Sequence, residues 1–105
     1  MKFTTTPLAA CRIGDIDALH CKEFPVRAIG TPKVLVNGIP WSCFSHINHP
    51  HKGIPCGIGC CQHVAPIAVG SKKVFVMGLG AGRVGDYVAT CTFVSTGSVN
   101  VFAGG

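Results

Sequence analysis

Apolar residues in this chain fall into short runs bounded by glycine and polar residues, with no helical stripe. The clearest run lies in Gly70-Ser71-Lys72-Lys73-Val74-Phe75-Val76-Met77-Gly78, and the same unit recurs as Gly30-Thr31-Pro32-Lys33-Val34-Leu35-Val36-Asn37-Gly38 and Gly97-Ser98-Val99-Asn100-Val101-Phe102-Ala103-Gly104-Gly105. Each copy has glycine, a small hydroxyl residue, valine four positions on, two more apolar residues, and glycine eight positions after the first. Such self-similarity predicts three copies of one supersecondary unit within a single small domain, residues 1–105. The three apolar runs are continuous rather than alternating, which predicts strands covered on both faces, by other repeats or by a partner. Asn37-Gly38 and Met77-Gly78 read as tight turns leading into short extended pieces.

Composition narrows the class to all-β. Glycine (14) and proline (7) punctuate the chain throughout and disfavour helix, while 48% hydrophobic residues against 12% charged favour short strands and many turns. No apolar run approaches the ~20 residues of a membrane-spanning helix. The start, Met1 to Ala10, lacks the apolar segment of a cleaved secretory signal and reads as an extended arm in which Thr4, Thr5 and Thr6 suit a strand edge and Pro7 ends it. Net charge is +5, but the nine basic residues are scattered without interleaved aromatics, which argues against a nucleic-acid partner. Seven cysteines and five histidines are a metal-like proportion, and the odd cysteine number leaves at least one outside any intrachain disulfide set.

Counting outward from the repeats gives a register. Arg12-Ile13-Gly14-Asp15 recurs as Arg83-Val84-Gly85-Asp86, and five residues after each aspartate stands a soft donor, His20 or Cys91. In the middle copy the equivalent of Asp86 is His46, with Ser45-His46 where Gly-Asp would be, and five residues on is His51. His20, His51 and Cys91 are therefore repeat-equivalent. The repeats are unevenly spaced because of one insertion, residues 47–63, which reads as a functional loop rich in turn formers and ligand-type side chains. Three copies in one chain suggest approximate three-fold symmetry, which can match the end of a true homotrimer.

These residues resemble the PAAR-repeat family, the metal-capped tip proteins of contractile phage tails and type VI secretion systems. The resemblance rests on the three Gly-[Ser/Thr]-x-x-Val strands, on Asn37-Gly38-Ile39-Pro40 as an Asn-Gly-x-Pro turn, and on Gly80-Ala81-Gly82-Arg83-Val84-Gly85-Asp86 in place of Pro-Ala-Ala-Arg followed by Val-Gly-Asp. It covers about residues 11–105 and departs from the family at Gly80, Gly82 and the cysteine-rich insertion. It implies a short conical all-β domain of three pseudo-symmetric repeats around an apical metal ion, usually held by three histidines and one cysteine. The implied partner is the C-terminal end of a trimeric β-helical spike, VgrG-like or its phage counterpart, with one monomer per trimer. The implied role is non-enzymatic: sharpening the spike to pierce an outer membrane, at a virion tail tip or after export through a type VI apparatus, with the phage-like tail preferred.

A tapering cone has little volume near its point for hydrophobic packing, so a metal with four N/S ligands is the natural clamp there. His20, His51 and Cys91 are the expected ligands, and His63, just before the run Val64 to Gly70 where the family often has a histidine, is the expected fourth, with His49 as competitor. Zinc is the expected ion, and iron also suits this donor set. Other chemistry stays open. His46-x-x-His49-x-His51 could form a catalytic metal site open to water in a small hydrolase or redox protein; Asp15 and Asp86 are spent on Gly-Asp turns, which leaves Asp17 and Glu23 as carboxylate bases. The chain could also be a cysteine-rich interaction module. Cys56, Cys60 and Cys61 fit a second metal site, a disulfide or free thiols. Cys11, Cys21 and Cys43 read as core or turn residues, although Cys21 could replace its neighbour His20 as a ligand. Trp41 reads as core or base packing.

Overall fold

The first glycine of each repeat lies where the facing backbone leaves no room for a side chain. A Cβ on Gly30, Gly70 or Gly97 would stand 2.8, 2.6 or 2.6 Å from a carbonyl oxygen of Pro40, Gly80 or Ala10 respectively. The hydroxyl residue that follows is buried in all three copies, and in two of them it folds the strand entrance. Ser71 Oγ accepts from the backbone N–H groups of Lys73 and Val74, and Ser98 Oγ accepts from those of Asn100 and Val101. The closing glycine takes positive φ each time, 78° at Gly38, 83° at Gly78 and 80° at Gly105. With Asn37 and Met77 also left-handed, the first two copies turn back through tight hairpins of the kind that Asn-Gly favours.

The computed structural model describes residues 7–21, 23–56, 59–89 and 91–105; of 52–56 and 59–61 it describes the backbone alone. It is all-β, with no helix among the described residues. In chain order the strands are β1 (Leu8–Ala9), β2 (Thr31–Val36), β3 (Ile39–Trp41), β4 (His51–Cys56), β5 (Gly59–His63), β6 (Phe75–Val76), β7 (Leu79–Gly80), β8 (Tyr87–Val88), β9 (Thr92–Phe93) and β10 (Phe102–Ala103). They pair antiparallel as β2–β3, β4–β5, β6–β7 and β8–β9, and β1 pairs with β10, Leu8 opposite Ala103. The N-terminal strand therefore serves the third repeat as β3 serves the first and β7 the second. Leu8 and Ala9, just after Pro7, are paired, and the expected strand residues Thr4 to Thr6 lie outside the described residues.

Single bridges link the repeats in a closed ring: Arg12 to Trp41, Cys43 to Ala81, and Ala10 to Arg83. Inside it, equivalent residues form two core layers. One contains Ala10, Trp41 and Ala81 with Val36, Val76 and Ala103; the other contains Cys11, Ala65, Ile67, Val88 and Val94, with Cys91 packed against it. Trp41 sits in the first layer, and its indole N–H donates to the Gly82 carbonyl at 2.9 Å.

Within the chain the repeat strands are covered on one face only, so of the two expected sources of cover the other repeats supply just one side. Val36, Val76 and Ala103 are buried, but the central apolar residue of each strand is open: Leu35 is 53%, Phe75 60% and Phe102 52% exposed. The continuous apolar pattern therefore arises from one face packed inward and one apolar face turned outward. The insertion also differs from expectation. Most of it is the β4–β5 hairpin, with His51 opposite His63 and Lys52 opposite Gln62, and a bulge between Lys52 and Ile54. Turn-forming Gly53 sits at that bulge, and Pro55, opposite Cys60, is on an edge strand of a two-stranded sheet, where proline is tolerated.

Candidate metal centre

The Gly-Asp turns fix where each repeat delivers its donor. The backbone N–H of Arg12 donates to Asp15 Oδ2 at 2.7 Å and that of Arg83 to Asp86 Oδ2 at 2.8 Å, with Gly14 and Gly85 at φ 90° and 93°. The middle copy keeps the same geometry with different chemistry. The N–H of Cys43 donates to His46 Nδ1 at 2.8 Å, and Ser45 takes φ 74° where the other copies have glycine. His46 must carry a lone pair on Nδ1 to do this, and burial, aided by the Arg27 charge, lowers its pKa. Each aspartate is also held by the arginine that opens its turn, Arg12 or Arg83.

Five residues beyond these turns the chain brings His20, His51 and Cys91 together, and β5 adds His63. One donor atom from each of the four lies within 4.8 Å of the others, and the group can hold a metal ion. The imidazole centroids of His51 and His63 are 4.5 Å apart, and that of His20 is 5.9 Å from His51 and 5.5 Å from His63. His51 Nε2 is 3.2 Å from Cys91 Sγ. A tetrahedral ion with bonds of about 2.0–2.3 Å needs donors roughly 3.3–3.8 Å apart, so only a small contraction is required.

The electrostatics of the group suit a cation. His51 Nδ1 lies 2.9 Å from the His49 carbonyl oxygen, which pins the ring with Nε2 facing Cys91. His63 Nε2 is buried with no hydrogen-bond partner, an arrangement that a proton or water would ordinarily relieve and that a metal bond would satisfy. Burial lowers the His63 pKa, and the neighbouring His51 and His20 push it the same way, so this imidazole is a neutral donor. The Cys91 thiol is pushed up to about 11, chiefly by burial and then by the Asp17 charge, against the pull of Arg27. Without a metal the Cys91 thiol keeps its proton; a bound cation would supply positive charge beside it and draw that proton away.

His49 is exposed and contributes its carbonyl to the arrangement, not its ring. His46 is committed to its turn, so the triplet His46, His49 and His51 does not converge. Cys21, beside His20, is disulfide-bonded and is therefore not a substitute ligand. Cys11 and Cys43 are buried free thiols in the core, and burial raises the pKa of both. The side chains of Cys56, Cys60 and Cys61 lie outside the described residues. Glu23 exchanges two backbone hydrogen bonds with His20, at 2.7 and 3.0 Å, closing the turn that presents that ligand.

Asp17, one of the carboxylates left open as a base, is wholly buried. Its Oδ2 accepts from Arg27 Nη2 at 2.8 Å and from Asn48 Nδ2 at 3.0 Å. Arg27 also donates to the His46 carbonyl, and Asn48 Oδ1 accepts from the N–H of Ala65. This polar cluster was not anticipated, though the register contained its signal. Arg27 occupies the position held by Ile67 and Val94 in the other copies, and Asp17 and Asn48 that held by Val88, all of them buried. Two ionic residues replacing core aliphatics three and seven positions from a donor histidine could have been found by aligning the repeats.

Neither a scan against protein-family models nor a search of curated protein sequences returns a match. Among the described residues no helix is long and apolar enough to cross a membrane.

Proposed function

We propose that this chain is a PAAR-type tip protein: a non-enzymatic, zinc-clamped cap on the end of a trimeric β-helical spike, used by a contractile injection machine to pierce an outer membrane. The observation that carries this reading is the pairing of two repeat-equivalent sets. His20, His51 and Cys91 meet with His63 in one donor group beside the second core layer. Leu35, Phe75 and Phe102, on strands packed against the first layer, leave three equivalent apolar side chains in solvent. A three-membered apolar set is costly for an isolated domain and complementary to a partner with true three-fold symmetry. The four-donor set clamps the part of the chain where packing volume runs out. A phage-type tail is the preferred setting.

The test combines elemental analysis with docking. Purified protein should carry one zinc per chain and bind the C-terminal end of a trimeric β-helical spike at one chain per trimer. Replacing Leu35, Phe75 and Phe102 together by lysine should abolish that binding while leaving zinc content and thermal stability close to wild type. A protein without stoichiometric metal, or one whose lysine variant still docks, would overturn the proposal.

A further inference from the structure

Cys21 is disulfide-bonded, whereas Cys11, Cys43 and Cys91 are free thiols. Of the seven cysteines this leaves Cys56, Cys60 and Cys61 as candidate partners, and all three belong to β4 and β5. That hairpin carries His51 at the start of β4 and His63 at the end of β5, cross-strand from each other. Cys21 follows His20 directly, and the His20 ring is 5.5 Å from that of His63. Cys21 also takes φ 48°, a left-handed conformation more usual for glycine or asparagine, in the turn closed by the paired backbone hydrogen bonds of His20 and Glu23.

We propose that Cys21 is bridged to the β4–β5 hairpin, and that this cross-link and the metal clamp the same two segments, so that the redox state of the disulfide sets how tightly the site keeps its metal. The inference rests on the metal-site reading above. Three of the four donors are involved: His20 on one side of the bridge, His51 and His63 on the other. With the bridge closed, His20 stays beside the hairpin whenever its metal bond breaks, and it rebinds before the ion escapes. With the bridge open, the His20 turn and the hairpin are joined only through the long chain between them and through packing. The local concentration of the His20 imidazole at the ion then falls.

Closure converts two thiols to one disulfide and releases two protons and two electrons. The electrons pass by thiol–disulfide exchange to a small disulfide oxidant such as oxidised glutathione, which leaves as two thiols. The reverse step takes two electrons from a reductant. A protein of this kind would fold in a reducing compartment with the metal alone holding the site, and would gain the second clamp on reaching an oxidising one.

The test uses full-length, zinc-loaded protein. Peptide mapping of the unreduced chain should find the Cys21 peptide linked to a peptide from residues 51–63. Zinc transfer to a chromogenic chelator should be about tenfold or more faster after reduction with a phosphine, which is itself oxidised to the phosphine oxide. Cys21→Ser should release zinc at the fast rate with or without phosphine, and reoxidation of the wild type with oxidised glutathione should restore the slow rate. A Cys21 thiol found free or linked elsewhere, or equal release rates in the two redox states, would overturn the coupling while leaving the metal site standing. Failure of both redox states to take up zinc would overturn the metal reading, and the coupling with it.

Discussion

Replacing Asp17 alone should be among the most damaging single changes in the chain, and replacing Asp17 and Arg27 together should be far milder. Both side chains are fully buried, and the 2.8 Å contact between them is the ionic partner of a guanidinium that already has its Nε unmatched. Asp17→Val supplies the residue found at the equivalent position 88, but leaves a buried cation without its counter-charge, at a cost of about 3–5 kcal/mol. Arg27→Met alone strands the carboxylate at a similar cost. In the double variant neither charge remains. The carbonyls of His46 and Ala65 lose the guanidinium but keep backbone donors in Ile67 and Asn48, at 3.1 Å each. The residual cost is then the Asn48 side-chain N–H that had donated to Asp17, about 1–3 kcal/mol. The double variant should thus recover about 2 kcal/mol over either single variant, taking the middle of each range, a coupling that no independent pair of sites would give. Denaturant unfolding of the four proteins at one fixed zinc concentration measures it. A loss below about 1 kcal/mol for Asp17→Val, or a double variant as unstable as the sum of the singles, would refute the reasoning.

His63→Ala should lower zinc affinity at least about 100-fold, measured by chelator competition, while His49→Ala should leave it near wild type because His49 acts through its backbone carbonyl. Because the folded pKa of His46 lies below the ordinary value near 6.5, the unfolded chain binds the extra proton first, and stability should fall as pH drops below about 6.5. In His46→Asp, matching Asp15 and Asp86, a carboxylate accepts the Cys43 N–H without that penalty; unfolding of the zinc-saturated proteins between pH 7 and 5 should give a flatter profile for the variant, and identical profiles would count against the turn assignment. Gly82→Ala drives a methyl into the Ser42 carbonyl oxygen and to 2.9 Å from Cys11 Sγ, so it should cost about 3 kcal/mol or more and lower Tm by about 12 °C or more in a thermal melt.

The repeat register was legible in the sequence because glycine and hydroxyl positions obey local rules. Gly30, Gly70 and Gly97 answer to a carbonyl oxygen that would lie under 3 Å from any Cβ placed there, and Gly38, Gly78 and Gly105 to positive φ. Both constraints act on a single residue and leave a mark in every copy. Counting from those marks located His20, His51 and Cys91 even through the Ser45-His46 substitution, since the backbone keeps its turn whichever side chain accepts the N–H. What escaped was set by packing between copies. Three consecutive apolar residues look the same whether the middle one faces a neighbour or solvent, so the exposure of Leu35, Phe75 and Phe102 could not be read from the run itself. The hairpin in the insertion was hidden for the opposite reason: Gly53, Pro55 and Gly59 are loop signals locally, and only the long-range pairing of His51 with His63 overrides them.

That pairing also answers a problem that the repeats alone leave open. Three-fold repetition delivers three equivalent donors around an axis, and a closed tetrahedral site needs four. A fourth donor must break the equivalence, and the way this chain does so is economical in structure. An antiparallel excursion inserted directly after one donor returns to its starting point, and its last residue lies cross-strand from its first. Placing histidine at both ends makes the hairpin itself set the spacing of two ligands, His51 and His63, with no contribution from the other repeats. Their separation is then fixed by strand register, and a slip of one residue would turn His63 to the other face. The insertion that makes the repeats unequal thereby completes the donor set, and the asymmetry of the sequence and the closure of the site have one cause.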